Sequence, residues 1–189
     1  MTYRAQYYFL EKEIPEPIGS GHVSAVPIRA FVAKDGKYLV IDSAQQKFFQ
    51  NLCQVLEIEH VGKDPRYSTR SARLKNAAAL MKILEDEFIK KDRDEWLRLL
   101  IQGDVPAGPV NNLAEALSDP SILARNMVVW ADHLGEKIQM VGNPIKMPEM
   151  KEGSFTGAPT LGQHTEDILS GYLHYSPEDI DRLRTDKVI

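Results

Sequence analysis

Five histidines, one cysteine and a scatter of arginines are the side chains best suited to chemistry in this 189-residue chain, and their spacing restricts what they can do. His22, His60, His133, His164 and His174 are too irregularly placed to form a zinc ligand set, so no metal site is expected. His164 stands where a helix begins; capping or packing competes there with proton transfer, and no nucleophile lies beside it. Cys53 falls on a helical apolar stripe with Phe49, Leu52 and Leu56, the setting of a buried structural thiol. The chain has no phosphate-binding Gly-x-x-x-x-Gly-Lys run, dinucleotide glycine fingerprint or nucleophile elbow. What remains is Gly19-Ser20-Gly21-His22, where the missing side chains permit positive φ and close approach of a ligand to the backbone. The same composition also serves as a plain hinge.

The elements that must position these residues are legible. Pro15, Pro17, Gly19 and Gly21 break regular structure and mark a linker after an aromatic opening, Tyr3 to Leu10, that reads as the end of an amphipathic helix. Ile28 to Val32 and Lys37 to Ile41 are β-prone runs joined through Asp35-Gly36, a hairpin. From Gln46 the period becomes helical, and Leu74, Ala77, Met81, Leu84 and Phe88 predict one helix of about five turns. Asp92 with Glu95 reads as a capping box opening a helix that carries Trp96 and Leu100 and ends at Gly103. Val105 to Val110 reads as a strand bounded by rigid prolines. Asn112 with Glu115, and Asp119-Pro120, each start a short helix. Met127 to His133 and Lys137 to Val141 form a second hairpin, and Ser176-Pro177 caps a closing helix.

The expected fold class is α+β: two β-hairpins with intervening helices, then a C-terminal two-helix extension. The expected segments are 1–24, helix end and linker; 25–147, the α+β domain; and 148–189, a second linker and the C-terminal helices. A net charge of -4 with both signs interspersed gives no footprint for nucleic acid, and Lys90, Lys91 and Arg93 read as a solvated helix junction. No apolar run approaches the roughly 20 residues that span a bilayer, and the N-terminus lacks the basic region and cleavage site of a signal peptide. With one cysteine no intrachain disulfide forms, which points to reducing cytoplasm.

Several motifs together resemble one family. Pro159-Thr160-Leu161-Gly162-Gln163-His164-Thr165-Glu166-Asp167-Ile168-Leu169, followed by Tyr175-Ser176-Pro177-Glu178-Asp179-Ile180, is similar to the C-terminal signature of the class III CoA-transferases, the formyl-CoA and crotonobetainyl-CoA:carnitine type. Asp64-Pro65-Arg66-Tyr67 followed by Arg73 resembles the family's Asp-Pro-Arg-Phe segment, with tyrosine in place of phenylalanine. Trp96 lies in the expected helix. Val105-Pro106-Ala107-Gly108-Pro109-Val110-Asn111 and Gly142-Asn143-Pro144 match further segments in the family's order.

The resemblance implies CoA transfer between an acyl-CoA and a carboxylic acid. In the family an aspartate attacks the thioester, forms a mixed anhydride and then carries CoA as an aspartyl thioester. That aspartate belongs to an N-terminal large domain with no counterpart here, so no catalytic residue is assigned in this chain. The family's glycine-rich segment before the first hairpin closes over the active site, which makes Gly19, Ser20, Gly21 and His22 the substrate-binding candidates, although the family's run of glycines is longer. Arg66 and Arg73 are candidates for a CoA phosphate, or else structural ion pairs or caps. The implied partners are the N-terminal large domain or subunit, to which the C-terminal helices return, and a second chain in an interlocked dimer. The implied substrate is a coenzyme A thioester, with no covalently bound cofactor. Alone, the chain is expected to be inactive, as a split subunit or fragment. Two further readings stand beside this one: a non-catalytic assembly module docking through Tyr3, Tyr7, Tyr8 and Phe9, or the corresponding part of an acyl-CoA racemase.

Overall fold

A computed structural model of the chain describes residues 2–14, 16–147, 149 and 152–189, with the side chains of Thr2, Tyr3 and Arg4 left undescribed. Pro15 of the first linker and Pro148, Met150 and Lys151 of the second therefore lie outside the described residues, as does the side chain of Tyr3. The fold is α+β, as expected, and divides into two units, Met1–Asn111 and Asn112–Ile189.

The first unit contains α1 (Thr2–Glu11), β1 (Ile28–Val32), β2 (Tyr38–Asp42), α2 (Gln46–Val55), α3 (Glu59–Lys63), α4 (Arg70–Lys75), α5 (Ala77–Phe88), α6 (Arg93–Gln102) and β3 (Ala107–Pro109). β1 and β2 pair antiparallel from Ile28 opposite Asp42 to Val32 opposite Tyr38, and β3 adds antiparallel to the other edge of β2. Gly36 turns the hairpin at φ +75, the left-handed conformation the Asp-Gly pair was expected to supply. Alternation along the strands sends Phe31, Leu39 and Ile41 inward, against Phe49, Leu52, Leu80, Leu84, Phe88, Trp96 and Leu100. Phe88 is the centre of this core: its ring lies 4.7 Å from Phe31 and meets Trp96 edge-on at 5.6 Å. Trp96 Nε1 donates to the Phe88 carbonyl at 2.8 Å, giving a partner to an acceptor that the end of α5 leaves without one.

Three local expectations are corrected. The five-turn helix is two helices, interrupted at Asn76, whose side-chain amide donates to the Ala72 and Arg66 carbonyls at 2.9 and 3.1 Å. A short amide competes with the helix ladder, and the buried stripe becomes Leu80, Leu84 and Phe88 while Leu74 is exposed. Asp92 occupies the N-cap of α6 but makes no side-chain cap bond; Asp35 of the hairpin turn accepts from the Arg93 amide at 3.4 Å instead. Arg93 is buried, not solvated, whereas Lys90 and Lys91 pair with Glu87 and Glu95 as surface charges do.

Cys53 is fully buried, and desolvation pushes its thiol up to about 12, so it stays protonated at neutral pH as a structural thiol does. Tyr67, at 1% exposure, has a hydroxyl with no hydrogen-bond partner among the described residues. Leaving a buried hydroxyl unpaired costs about 1–3 kcal/mol. Tyr67→Phe should accordingly be neutral or raise stability by up to about 1 kcal/mol in urea denaturation; a loss larger than that would mean the phenol has a partner in solution.

The second unit contains α7 (Leu113–Leu117), α8 (Pro120–Ala124), β4 (Val128–His133), β5 (Glu136–Val141), β6 (Phe155–Thr156), α9 (Thr165–Gly171) and α10 (Pro177–Thr185). Asn112 with Glu115 and Ser176 with Asp179 form reciprocal capping boxes, and Asp119 accepts from the Ser121 amide with Pro120 at the first helical position. β4 and β5 form the second hairpin, turned by Leu134 and Gly135 at φ +51 and +85. The two-residue β6 pairs parallel to the other edge of β4, an addition that the sequence reading did not contain. α9 and α10 are tied by Arg184 to Glu166 at 2.7 Å. Among the described residues no helix is long and apolar enough to cross a membrane, and no cluster of His, Cys, Asp and Glu could hold a metal ion.

Candidate functional site

The glycine-rich loop leads into β1, and three contacts fix its present shape. Gly19 takes φ +60, and the Gly21 amide donates to the Ile18 carbonyl at 3.2 Å, closing a tight turn. Ser20 Oγ accepts from the Ala30 amide at 3.1 Å, satisfying a donor on the edge of β1. His22 Nδ1 accepts from the Ser24 amide at 3.2 Å, which leaves the ring proton on Nε2.

Beside the loop is an open depression of about 520 Å³ lined by His22, Ala25, Ile28, Asp42, Ala44, Gln45, Gln46, Arg70 and Arg73. Of the four candidate residues, His22 alone lines it; Gly19, Ser20 and Gly21 shape the loop that delivers His22 to it.

The two arginines named from the sequence have other commitments. Arg66 grips Asp64 through Nε and Nη2, at 3.0 and 2.7 Å, and lies over the Tyr67 ring. The guanidinium holds the Asp64 carboxyl below its usual range, but Arg66 is exposed and Asp64 only half-buried, so the pair contributes little to stability. Arg73 is 1% exposed and spends its donors on the protein. Its Nε donates to the Val26 carbonyl at 3.0 Å, its Nη1 to Tyr67 O and Gln46 Oε1 at 3.1 and 2.8 Å, and its Nη2 to Ala44 O at 2.7 Å. The guanidinium also sits 4.5 Å from the Phe49 ring centroid. Arg73 is therefore a clamp: it joins the segment that follows the loop to β2's exit and to the turn before α4.

Sequence reasoning passed over Arg70. It is exposed, lines the depression, and donates through Nε and Nη2 to the Ser24 carbonyl at 3.1 and 2.9 Å. Its only sequence signal is its place one residue after Thr69, which caps α4 by accepting from Ala72 N.

The remaining motif residues serve the backbone. Pro106 accepts from the Asp42 amide at 3.0 Å but has no N–H to return, which ends the ladder on that side of β3, Ala107–Pro109, while beyond Pro109 the Val110 amide still donates to Tyr38 O at 2.9 Å. Asn143 Oδ1 accepts from Ile145 N at 2.9 Å in a side-chain turn, and a Cβ on Gly142 would meet Asn126 O at 2.1 Å. His164 holds the N-cap position of α9 without a cap bond, its Nδ1 3.7 Å from Asp167. Asp64 and Asp179 are both lowered below the usual carboxylate range, by hydrogen bonds from Arg66 and from Ser176 respectively.

Comparison with known proteins places the chain in a family. Residues 1–165 match CoA-transferase family III. The whole chain aligns at 30% identity with 43% of the human succinyl-CoA:glutarate CoA-transferase. At 32% identity, 98% of it aligns with 44% of the succinyl-CoA–L-malate CoA-transferase alpha subunit of Chloroflexus aurantiacus. The crystal structure of a CAIB/BAIF family protein from Brucella suis superposes with a TM-score of 0.75 and 29% identity, over 89% of this chain and 43% of that one. The chain thus spans less than half the length of these relatives. It belongs to CoA-transferase family III.

Proposed function

We propose that the chain is the C-terminal portion of an enzyme that moves CoA between an acyl thioester and a carboxylic acid, and that it is inactive until joined by an N-terminal lobe. The observation carrying this reading is the alignment of the entire chain with 43% of its human relative. In the proposed reaction a carboxylate oxygen of the missing lobe attacks the thioester carbonyl and the C–S bond breaks, leaving a mixed anhydride and CoA thiolate. The thiolate then attacks the enzyme's side of the anhydride, releasing the first acid and leaving CoA on the enzyme as a thioester. The acceptor acid reverses both steps. Each tetrahedral stage carries an oxyanion, which amides of the Gly19–His22 loop are suited to stabilise. The relatives named above act on succinyl-CoA with glutarate or L-malate, so we carry over dicarboxylic acids as the substrate class.

The complete enzyme is proposed as an interlocked dimer in a reducing cytoplasm, with 1–24 and 148–189 as the connections between the 25–147 domain and the large lobe. Co-expression with the N-terminal lobe tests this. The two polypeptides should co-purify and transfer CoA from succinyl-CoA to a dicarboxylic acid, while each alone stays at background; a co-purified pair that transfers nothing would overturn the catalytic reading. The second reading, assembly without catalysis, is favoured by one observation: Tyr7, Tyr8, Phe9 and Leu10 of α1 are 52, 43, 61 and 70% exposed. Four consecutive apolar residues cover every side of a helix, which leaves α1 needing a partner surface. Co-purification without turnover is the result this second reading predicts.

A further inference from the structure

Arg73 is a buried cation whose hydrogen-bond acceptors are all neutral: three backbone carbonyls and the Gln46 amide oxygen. Burial and the neighbouring Arg70 both make it easier to deprotonate, and no carboxylate is among the charges acting on it. Arg70 itself pairs with a carbonyl, not a carboxylate, and that contact engages its Nε and Nη2 while no described residue takes up Nη1. Two guanidiniums whose hydrogen-bond acceptors are neutral thus line the depression against a single carboxylate, Asp42, which gives the lining an excess of positive charge.

The rest of the lining supplies donors. Because Arg73 Nη1 holds Gln46 Oε1 at 2.8 Å, the other end of that amide, the NH₂ group, is the one left for a ligand. Because the Ser24 amide occupies His22 Nδ1, the second ring nitrogen is a donor as well. Asp42 is the one carboxylate in the lining.

We propose that this depression is a subsite for a substrate oxyanion, with Arg70 as its charged ligand and His22 and Gln46 as neutral donors. Resting on the function proposed above, the occupant is the second carboxylate of a dicarboxylic acid, the one that does not react with CoA. A phosphate of CoA carries the same chemistry, and the test separates the two. The depression, at about 520 Å³, has room for a small acid beside the loop.

The first measurement needs only the 189-residue chain: side-chain and amide NMR shifts titrated with glutarate and, separately, with adenosine 3′,5′-bisphosphate. Glutarate should shift His22, Gln46 and Arg70; Arg70→Gln should weaken binding about tenfold, Arg70→Lys should retain most of it, and Asp42→Asn should tighten it several-fold. Asp42→Asn keeps the test valid where Arg70→Gln perturbs the loop. The second measurement uses the complemented enzyme: Arg70→Gln should raise KM for dicarboxylic acids about tenfold while leaving KM unchanged for a monocarboxylic acid and for an acyl-CoA whose acyl group carries no second carboxylate. A rise in KM for that acyl-CoA, with the bisphosphate shifts lost, would instead assign the site to a CoA phosphate. Titrations unaffected by both Arg70→Gln and Asp42→Asn would overturn the subsite. A titration that behaves as stated while the complemented pair transfers no CoA would uphold the subsite and sink the functional reading.

Discussion

Arg73→Met should destabilise the first unit by about 3–5 kcal/mol, the range for breaking a buried charged network by removing one partner. Methionine keeps the length and apolar contact of the side chain, so the difference reports the guanidinium. Two effects oppose each other. Removing a buried cation recovers its desolvation cost, but the Val26, Ala44 and Tyr67 carbonyls then lose a donor in a site that is 1% exposed. Each unpaired buried polar group costs about 1–3 kcal/mol, so three of them outweigh the recovered desolvation. The Val26–Pro27 segment should loosen first, and with it the loop that ends at His22. Urea denaturation followed by circular dichroism measures the loss; a change below about 1 kcal/mol would contradict the clamp. Arg70→Gln, at an exposed site, should change stability far less.

Gly142→Ala should cost about 1–3 kcal/mol in the second unit, as large a loss as core overpacking produces. The new Cβ would stand 2.1 Å from Asn126 O, 3.1 Å from Asn126 C and 3.2 Å from Met127 Cα, all backbone atoms that cannot swing aside. The Gly142 amide also donates to Met127 O at 3.0 Å, so moving the strand end away breaks a bond. Gly153→Ala is the control, because nothing lies within 4 Å of its Cβ position. Comparable unfolding midpoints for the two variants would show that the end of β5 is free to relax.

These two sites show what a sequence does and does not display. Strands with alternating burial, the Asp-Gly turn and the cap pairs Asn112–Glu115 and Ser176–Asp179 act over a few residues and were legible as spacing. Asp35 capping α6 from the hairpin turn, and Asn76 interrupting the long helix, depend on which groups the fold brings together, so Asp92 was given the cap and the apolar period was carried through Asn76. The two residues of β6 are too few to show a period. In the candidate site the glycines announced the loop, since left-handed φ at Gly19 calls for that residue. Arg73 and Arg70 share a polar segment and look alike in sequence; burial makes one a clamp and exposure beside a depression gives the other its surface.

The account depends on the nucleophile residing outside this chain. Mixing the 189-residue polypeptide with its N-terminal lobe and succinyl-CoA, then quenching in acid and weighing each polypeptide by mass spectrometry, locates the covalent thioester directly. CoA mass on the N-terminal lobe, and none on this chain, is the predicted result. A CoA adduct on this chain, formed with or without the other lobe, would contradict it.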